Sequence, residues 1–256
     1  SVRVAKTLDE DAIERHKRKF IEPAAMLHAI QKVYGDQAKA KAMAAYGRLI
    51  DAHMLVTGVL AAGPLRINGA IAAADQTAFE RDALFADFVI GLEPCEAAIA
   101  EARYLQANAM LRQELEILAQ LKAVRANRRK LNGAPNVAVL EQSLPRLYGG
   151  LSAAAHVSQH HIVQTATSWD GEMEGLPGPT NFTRSFSETD DELARKSYAL
   201  HGYMTIRLVE ELRLDLARRY EGAAFTEHEN EALHFAVDRM ISEGMLELVD
   251  TPTCES

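Results

Sequence analysis

Apolar residues recur every three or four positions along most of this chain, which is the spacing that places them on one face of an α-helix. No segment alternates apolar and polar residues between turn signals as a half-buried strand does, and runs of β-branched residues are missing. The pattern therefore predicts an all-α protein, an elongated antiparallel bundle of about seven or eight helices.

Glycine and proline divide this pattern into predicted helices. The first helix would end before Pro23, which suits the first turn of a second helix that stops around Gly35. A third helical segment would run from about 36 to 60. From Cys95 through Asn132 there is neither glycine nor proline, so the longest predicted helix spans that stretch. At about 1.5 Å per residue it would reach about 50 Å and form the spine of the fold.

The region 168–187 is rich in glycine and proline, and it is predicted to be the longest irregular loop. Two more helices would close the chain, at about 188–220 and 227–248. Thr226, followed three residues later by Glu229, is typical of a capping box at the start of the last helix. Together these elements predict a single helical domain over all 256 residues.

The composition is that of an ordinary globular protein, with 48% hydrophobic and 25% charged residues. The formal net charge of −8 repels phosphate backbones and anionic membranes, so nucleic-acid binding would need a local basic patch. The two cysteines, Cys95 and Cys254, lie far apart and indicate neither a disulfide framework nor a cysteine zinc site. Because no apolar stretch approaches about 20 residues, we expect a cytoplasmic protein without a membrane partner.

One run of basic residues is a candidate nucleic-acid-binding surface at the end of the predicted spine: Lys122, Arg125, Arg128, Arg129 and Lys130. The alternative is a cationic helix end that faces the negative pole of the helix dipole. The sequence leaves both interpretations open.

The glycine-rich loops of nucleotide-binding proteins are absent, as are the G-x-S-x-G and H-E-x-x-H motifs. Polar groups beside apolar stripes remain as candidate site residues. Arg112 and Glu116 are four residues apart and share one helix face beside such a stripe. A simple ion pair along the helix is the alternative interpretation.

A further helix is predicted at about 137–165, and it carries His156 at the edge of its apolar stripe, with Ser152 one turn before it. A partly buried histidine next to Ser152, Tyr148 or Arg112 could titrate near neutrality and act in acid–base catalysis. The alternative is a histidine at the core edge that bonds a carbonyl group.

Three histidines lie within six positions, and two of them, His156 and His160, are four residues apart. This spacing lets two imidazoles bind one metal ion from a single helix face. Carboxylates from Asp170, Glu172 or Glu174 in the following loop could complete the shell. Exposed polar histidines are the alternative, since no third ligand is identified.

Two of these elements together resemble the HEPN-like superfamily of helical proteins. One is the R-x-x-x-E pair at Arg112 and Glu116, and the other is Leu-Tyr-Gly-Gly-Leu-Ser-Ala-Ala-Ala-His at 147–156. The resemblance implies an HEPN-like core over about 95–222 with the N-terminal helices packed on it. It also implies an antiparallel helical bundle that is frequently a homodimer.

In that superfamily, paired arginine and histidine residues can form a metal-independent RNA-cleaving site, and many members act in toxin–antitoxin, phage-defence or RNA-processing systems. Carried over by position, His156 would be the catalytic histidine and Ser152 would take the small polar place. Leu151 stands where nuclease members have an arginine, and leucine cannot stabilise the developing phosphorane charge. Arg112 could reach in from the neighbouring helix.

The resulting expectation is a homodimeric HEPN-like protein of a bacterial stress, toxin–antitoxin or phage-defence type that binds RNA and needs no cofactor. If it also cleaves RNA, the site residues would be His156, Arg112, Glu116, Ser152 and Tyr148. Two alternatives stay open: a non-catalytic helical scaffold that acts through protein contacts, and a metal-dependent enzyme that uses His156 and His160.

Overall fold

The computed structural model describes residues 10–73, 75–128, 135–140, 143–155, 163, 167–171, 180–183 and 188–247. Seven α-helices make up most of this part of the chain, which confirms the predicted all-α helical bundle. They are α1 (Glu10–Tyr46), α2 (Leu49–Arg66), α3 (Ala78–Ala100), α4 (Tyr104–Arg125), α5 (Ser143–Ala155), α6 (Asp191–Arg219) and α7 (Glu227–Ser242). Among these helices, none has both the length and the apolar content that a bilayer crossing requires.

Helix α1 is longer than predicted because neither Pro23 nor Gly35 interrupts it. A proline inside a helix removes one hydrogen bond and clashes with the preceding turn, at a cost of about 3 kcal/mol or more. Every residue from 14 to 34 is exposed, so water can bond the carbonyl group that Pro23 leaves without a donor. The helix ends instead at Gly47, whose φ of 53° lies in the left-handed region that favours glycine. The predicted breaks at Pro23 and Gly35 were therefore wrong.

The predicted spine from Cys95 to Asn132 is divided in two. α3 ends at Ala100, and α4 begins at Tyr104 after a turn in which Ala102 has a φ of 55°. An alanine in the left-handed region is unfavourable, and no glycine or proline marks the turn in the sequence. The turn lets α3 and α4 pack against each other as neighbouring helices.

Helix α6 is the centre of the bundle and packs against α1, α2, α3 and α4. α7 packs on α2, and α5 packs on α4. Large side chains from five helices are fully buried in one hydrophobic core, each stabilising the fold by about 1.5–3 kcal/mol. They are Tyr46, Phe88, Ile99, Leu111, Leu115, Leu118, Leu121, Leu144, Met204, Leu208 and Leu216.

The region predicted as the longest loop contains a short antiparallel pair of strands, β1 (Ser168–Gly171) and β2 (Thr180–Thr183). Ser168 is paired with Thr183, and Gly171 with Thr180. Four residues per strand are too few for an alternating pattern to stand out in the sequence, which is why the pair was not predicted. A 3₁₀ turn at Val137–Val139 precedes α5.

The predicted capping box of the last helix is confirmed. The Thr226 hydroxyl accepts a hydrogen bond from the backbone N–H of Glu229, and the Glu229 carboxylate accepts one from the backbone N–H of Thr226. The same carboxylate accepts a hydrogen bond from Arg66 at 2.6 Å. The cap therefore also fixes the start of α7 to the end of α2.

A buried ion-pair network connects α3, α6 and the segment before α3. Asp215, which is 5% exposed, accepts hydrogen bonds from Nε of Arg81 at 2.6 Å and from Nη1 of Arg219 at 3.0 Å. Arg81 also donates to Asp75 at 2.5 Å, and Arg219 donates to Asp82 at 2.6 Å. These paired charges hold three segments of the chain together at one end of the core.

The stabilising contribution of Asp75 is expected to disappear at low pH. Hydrogen bonds from Arg81 and from the backbone N–H of Thr77 hold the pKa of Asp75 well below its usual value. Because the unfolded state binds the proton more tightly, this contribution is complete above the ordinary aspartate pKa of about 4 and is lost as the pH falls below it. Urea unfolding of the wild type and Asp75→Asn should show a difference in unfolding free energy that shrinks under acid conditions. A difference independent of pH would contradict this.

Candidate metal centre

Three of the predicted site residues meet beside a solvent-facing cleft on α3, α4 and α5. Nε of Arg112 donates a hydrogen bond to Oε1 of Glu116 at 2.9 Å, and the Tyr148 hydroxyl donates to the same oxygen at 2.8 Å. The Arg112 guanidinium lies 5.5 Å from the centroid of the Tyr148 ring. The cleft has a volume of about 440 Å³, and Arg112, Glu116 and Ala155 are among the residues that line it.

The other predicted site residues do not join this cleft. Ser152 is half-buried on α5 and is not among the lining residues. His156 and His160 lie outside the described residues, and so do the loop carboxylates Glu172 and Glu174. The predicted catalytic histidine and the predicted metal pair therefore stay predictions.

The described part of the predicted basic surface is only partly available to a ligand. Arg125 donates a hydrogen bond at 2.9 Å to Glu211, whose side chain is 7% exposed, so a nearly buried carboxylate neutralises this guanidinium. Lys122 is half-buried and Arg128 is exposed. The last two members of the run lie outside the described residues: Arg129 and Lys130.

The polar side chains beside the cleft are hydrogen-bonded to one another. Glu116 accepts hydrogen bonds from both Arg112 and Tyr148, and the Arg112 charge is balanced by that carboxylate. A guanidinium in such a pair must give up its partner before it can bind phosphate. These described residues thus form an ion pair along α4 that also bonds α5. This agrees with the interpretation of Arg112 and Glu116 as a simple ion pair.

A second group of polar side chains, which no pattern in the sequence predicted, lies where four helices meet. It takes one residue from each of α2, α3, α4 and α6: His53, Glu96, Glu114 and His201. His53, Glu114 and His201 are buried, with exposed fractions of 4%, 3% and 0%. The Glu96 side chain is 37% exposed and forms the solvent-facing edge of the group.

The imidazole of His201 lies between two carboxylates. Its Nδ1 is 2.8 Å from Oε1 of Glu114, and its Nε2 is 3.7 Å from Oε1 of Glu96. The same oxygen of Glu96 is 2.8 Å from Nε2 of His53. One potential ligand atom from each of His53, Glu96 and His201 therefore lies within 4.8 Å of the other two.

Three buried atoms of this group lack a hydrogen-bond partner among the residues described. They are Nε2 of His201, Oε2 of Glu114 and Nδ1 of His53. Leaving a buried polar atom unsatisfied costs about 1–3 kcal/mol. Native proteins tolerate such atoms mainly where water, an ion or a functional ligand satisfies them. The group therefore has the character of a binding site.

The local electrostatics favour a positive charge inside the group. Burial tends to raise the pKa of Glu96, but the nearby His201 and the hydrogen bond with His53 outweigh it and lower this pKa to about 2. Burial tends to lower the pKa of His201, but the Glu114 charge, the hydrogen bond with Glu114 and the nearby Cys95 and Glu96 raise it well above the ordinary value. The carboxylates thus stabilise a cation at His201.

The donor set fits a transition-metal ion. Two imidazoles and one carboxylate are the ligand set of many non-haem iron and catalytic zinc sites. A carboxylate bonded to the other ring nitrogen of a ligating histidine is the usual second layer of such sites, because it fixes the tautomer and the ring orientation. Glu114 has this position relative to His201.

Neutral side chains enclose the group away from the Glu96 edge. Cys95 is fully buried near Glu114 and His201, and burial raises the pKa of its thiol to about 11. The ring of Tyr198 lies 5.2 Å from the His53 ring and stacks on Tyr46 at 4.0 Å. Such surroundings have a low dielectric constant, which strengthens the attraction between a cation and its ligands.

The sequence contains only a weak indication of this group. His53 and His201 each stand among apolar residues of a helix, a place where a single histidine is usually a satisfied core residue. The partners are far apart in the chain: His53 and Glu96 by 43 positions, and Glu114 and His201 by 87. No short motif therefore marks the site.

The two motifs that carry the HEPN-like resemblance, at 112–116 and 147–156, contain neither His53 nor His201. The RNA-binding and defence functions that it implies stay predictions. Comparison with known proteins adds no family: no family model, no curated protein and no solved structure matches this chain.

Proposed function

We propose that this chain is a metal-dependent enzyme that binds one divalent transition-metal ion between His53, Glu96 and His201. The observation that supports this most directly is the set of groups around the buried His201 ring. Its Nδ1 is bonded to Glu114, while its Nε2 has no hydrogen-bond partner in the described part of the chain and faces Glu96. When a metal ion displaces the Nε2 proton of His201, Nδ1 keeps its proton toward Glu114 and the Nε2 lone pair ligates the ion.

A divalent ion also balances the charge of the group. Glu96 and Glu114 bring two negative charges together, and two neutral imidazoles bring none. A proton on His201 offsets only one of these charges, whereas an ion of charge 2+ offsets both. Because uncompensated charge in a protein interior is costly, the metal-bound group is the more stable arrangement.

Three protein ligands favour a catalytic centre over a structural one. Structural zinc sites are closed by four protein ligands, whereas catalytic sites keep positions open for water or substrate. The 37% exposure of the Glu96 side chain provides an approach from solvent. An ion held there would supply Lewis-acid activation of a bound water or substrate oxygen or, with iron, redox chemistry. His53, Glu96 and His201 would hold it, and Glu114 would orient His201.

Metal analysis of the purified protein tests this function. Protein stripped with a chelator would be reloaded separately with Fe²⁺, Mn²⁺, Co²⁺ and Zn²⁺, desalted and measured for metal content. We expect about one ion per chain for at least one metal, visible d–d absorption with Co²⁺, and a higher melting temperature on loading. Stripped protein that takes up none of the four metals would refute the proposal.

Glu114→Gln is expected to weaken metal binding without abolishing it. The amide keeps the size of the side chain but removes the charge that polarises Nδ1 of His201, and loss of such a partner typically costs about 10–100-fold in metal affinity. Competition with a chromophoric chelator measures this affinity. Glu210→Gln, a change of the same kind at a more exposed glutamate on α6, is the matched control and should leave the affinity unchanged. An affinity unchanged in Glu114→Gln would remove Glu114 from the site.

RNA binding with metal-independent cleavage is a second candidate function, supported by the meeting of Arg112, Glu116 and Tyr148 beside one cleft. Ala155, the last residue of α5, lines the same cleft. In this case the chain would be an HEPN-like protein of the stress or defence type. The convergence supports this function less strongly than the first, since the Arg112 charge is already balanced by Glu116.

Incubation of the protein with mixed RNA, with and without a chelator, separates the two candidates. Cleavage that survives the chelator and is lost in Arg112→Ala and His156→Ala supports the RNA-cleaving function. Cleavage that the chelator and His53→Ala both abolish supports the metal centre acting on RNA. If the protein neither cleaves RNA nor binds metal, the non-catalytic scaffold is the function that remains.

A further inference from the structure

The N-terminal part of α1 presents apolar residues to solvent over a long distance. Every residue from 14 to 34 is exposed, a length of about 30 Å. Seven large apolar side chains of this segment have exposed fractions between 36% and 63%: Phe20, Ile21, Met26, Leu27, Ile30, Val33 and Tyr34. Monomeric proteins seldom leave so long an apolar surface open, and such surfaces usually mark an interface.

Apart from Ile21, these side chains lie on one side of the helix and form a stripe. Phe20, Leu27 and Tyr34 are spaced by seven residues, and Ala24 and Ile30 fill the turns between them. The stripe continues along the same side of α1 into Ala38, Ala42 and Tyr46, which are buried in the core. The exposed stripe is thus an extension of the face that α1 already uses for packing.

An isolated helix of this kind has little stability of its own. Helices in proteins are stabilised mainly by burying an apolar face, and short isolated helices are marginal in water. Pro23 weakens this segment further. A partner that covers the stripe would therefore stabilise this part of α1.

The stripe is complementary to itself under a two-fold axis at Leu27. In an antiparallel pair, Leu27 meets Leu27 of a second copy, Phe20 meets Tyr34, and the small Ala24 meets the larger Ile30. Glu22 and Lys32 are the charged residues within 20–34. The same axis places Glu22 of one copy at the level of Lys32 of the other. A second copy of the chain can thus cover the stripe without pairing like charges.

The size of the surface is sufficient for a dimer. Each half-exposed large apolar side chain offers on the order of 100 Å², so two stripes bury roughly 1,000 Å² in total, which is near the lower limit for a specific interface. We propose that residues 20–34 of α1 pair with the same segment of a second copy in antiparallel orientation, which makes the protein a homodimer. The paired segment contains no residue of the candidate metal centre.

Sedimentation equilibrium over a range of protein concentrations tests the dimer. The wild type should sediment as a dimer, and Leu27→Glu should weaken association at least about a hundredfold, because the interface would bury two unpaired charges on its axis. Ala29→Glu is the matched control: it adds the same charge to an exposed position on the opposite side of the helix, and it should remain a dimer. Circular dichroism and metal content should be the same in both variants.

A cysteine placed on the axis tests the register. Leu27→Cys should form an intermolecular disulfide under mild oxidation, whereas Ala29→Cys should not, since the two copies of residue 29 would lie on outer faces. A wild type that is monomeric at every concentration, or a dimer that Leu27→Glu leaves intact, would overturn the proposal. A cross-link at residue 29 but not at residue 27 would do the same.

Discussion

In the variant His201→Ala, bound metal is expected to fall from about one ion per chain to nearly none. The site depends most on His201, because its ring lies between Glu114 and Glu96. The same oxygen of Glu96 also contacts His53. Loss of an outer-layer partner alone costs about 10–100-fold in metal affinity, so loss of a direct ligand should exceed a hundredfold. Metal content after reloading and desalting, together with the d–d absorption of the Co²⁺ form, measures the effect.

Two further variants make this result specific. Glu96→Gln removes a ligand charge at the partly exposed edge of the site, where folding is less sensitive, and it should also lose the metal. His228→Ala removes a histidine that is 95% exposed on α7, and it should bind metal like the wild type. If His201→Ala and Glu96→Gln keep the full metal content in folded protein, the ion binds elsewhere and the proposed centre is wrong.

The second large effect concerns stability. In metal-free protein, Asp215→Ala should lower the free energy of unfolding by about 3–5 kcal/mol, the cost of removing one partner from a buried ion pair. Asp215 is 5% exposed and accepts hydrogen bonds from Arg81 and Arg219. Without it, the two nearly buried guanidinium groups of Arg81 and Arg219 keep Asp75 and Asp82 as their carboxylate partners. A loss of this size is a large fraction of the total stability of a typical domain.

Urea unfolding monitored by circular dichroism measures this difference. Lys196→Ala is the control, because the ion pair of Lys196 with Glu192 lies on the surface of α6, and such pairs contribute less than about 1 kcal/mol. Equal losses in the two variants would show that the network around Asp215 contributes no more than a surface pair. The Asp75→Asn comparison at low pH tests the same network independently.

Features that depend on residues close together in the chain were predictable. The helical class follows from apolar spacing, the cap of α7 from Thr226 and Glu229, and the contact between Arg112 and Glu116 from their separation of one helical turn. Each of these depends on a geometry that the helix itself provides, so no knowledge of the surrounding fold is needed.

The ends of the helices were less predictable. Pro23 does not stop α1, and the turn at Ala102 divides a segment that lacks glycine and proline. Local preferences at such positions amount to about 1–3 kcal/mol, and packing or solvation elsewhere can exceed this. A local pattern therefore indicates where helices are present more reliably than where they end.

The sequence by itself determined that this chain folds as a helical bundle and which residues within a helix face one another. Only the tertiary structure decided that His53, Glu96, Glu114 and His201 meet, because each lies on a different helix. Local spacing sets contacts over one or two turns, but contacts over 43 or 87 positions depend on how α6 packs against α2, α3 and α4. For that reason, histidines that look like ordinary core residues in the sequence form the candidate metal centre in the folded protein.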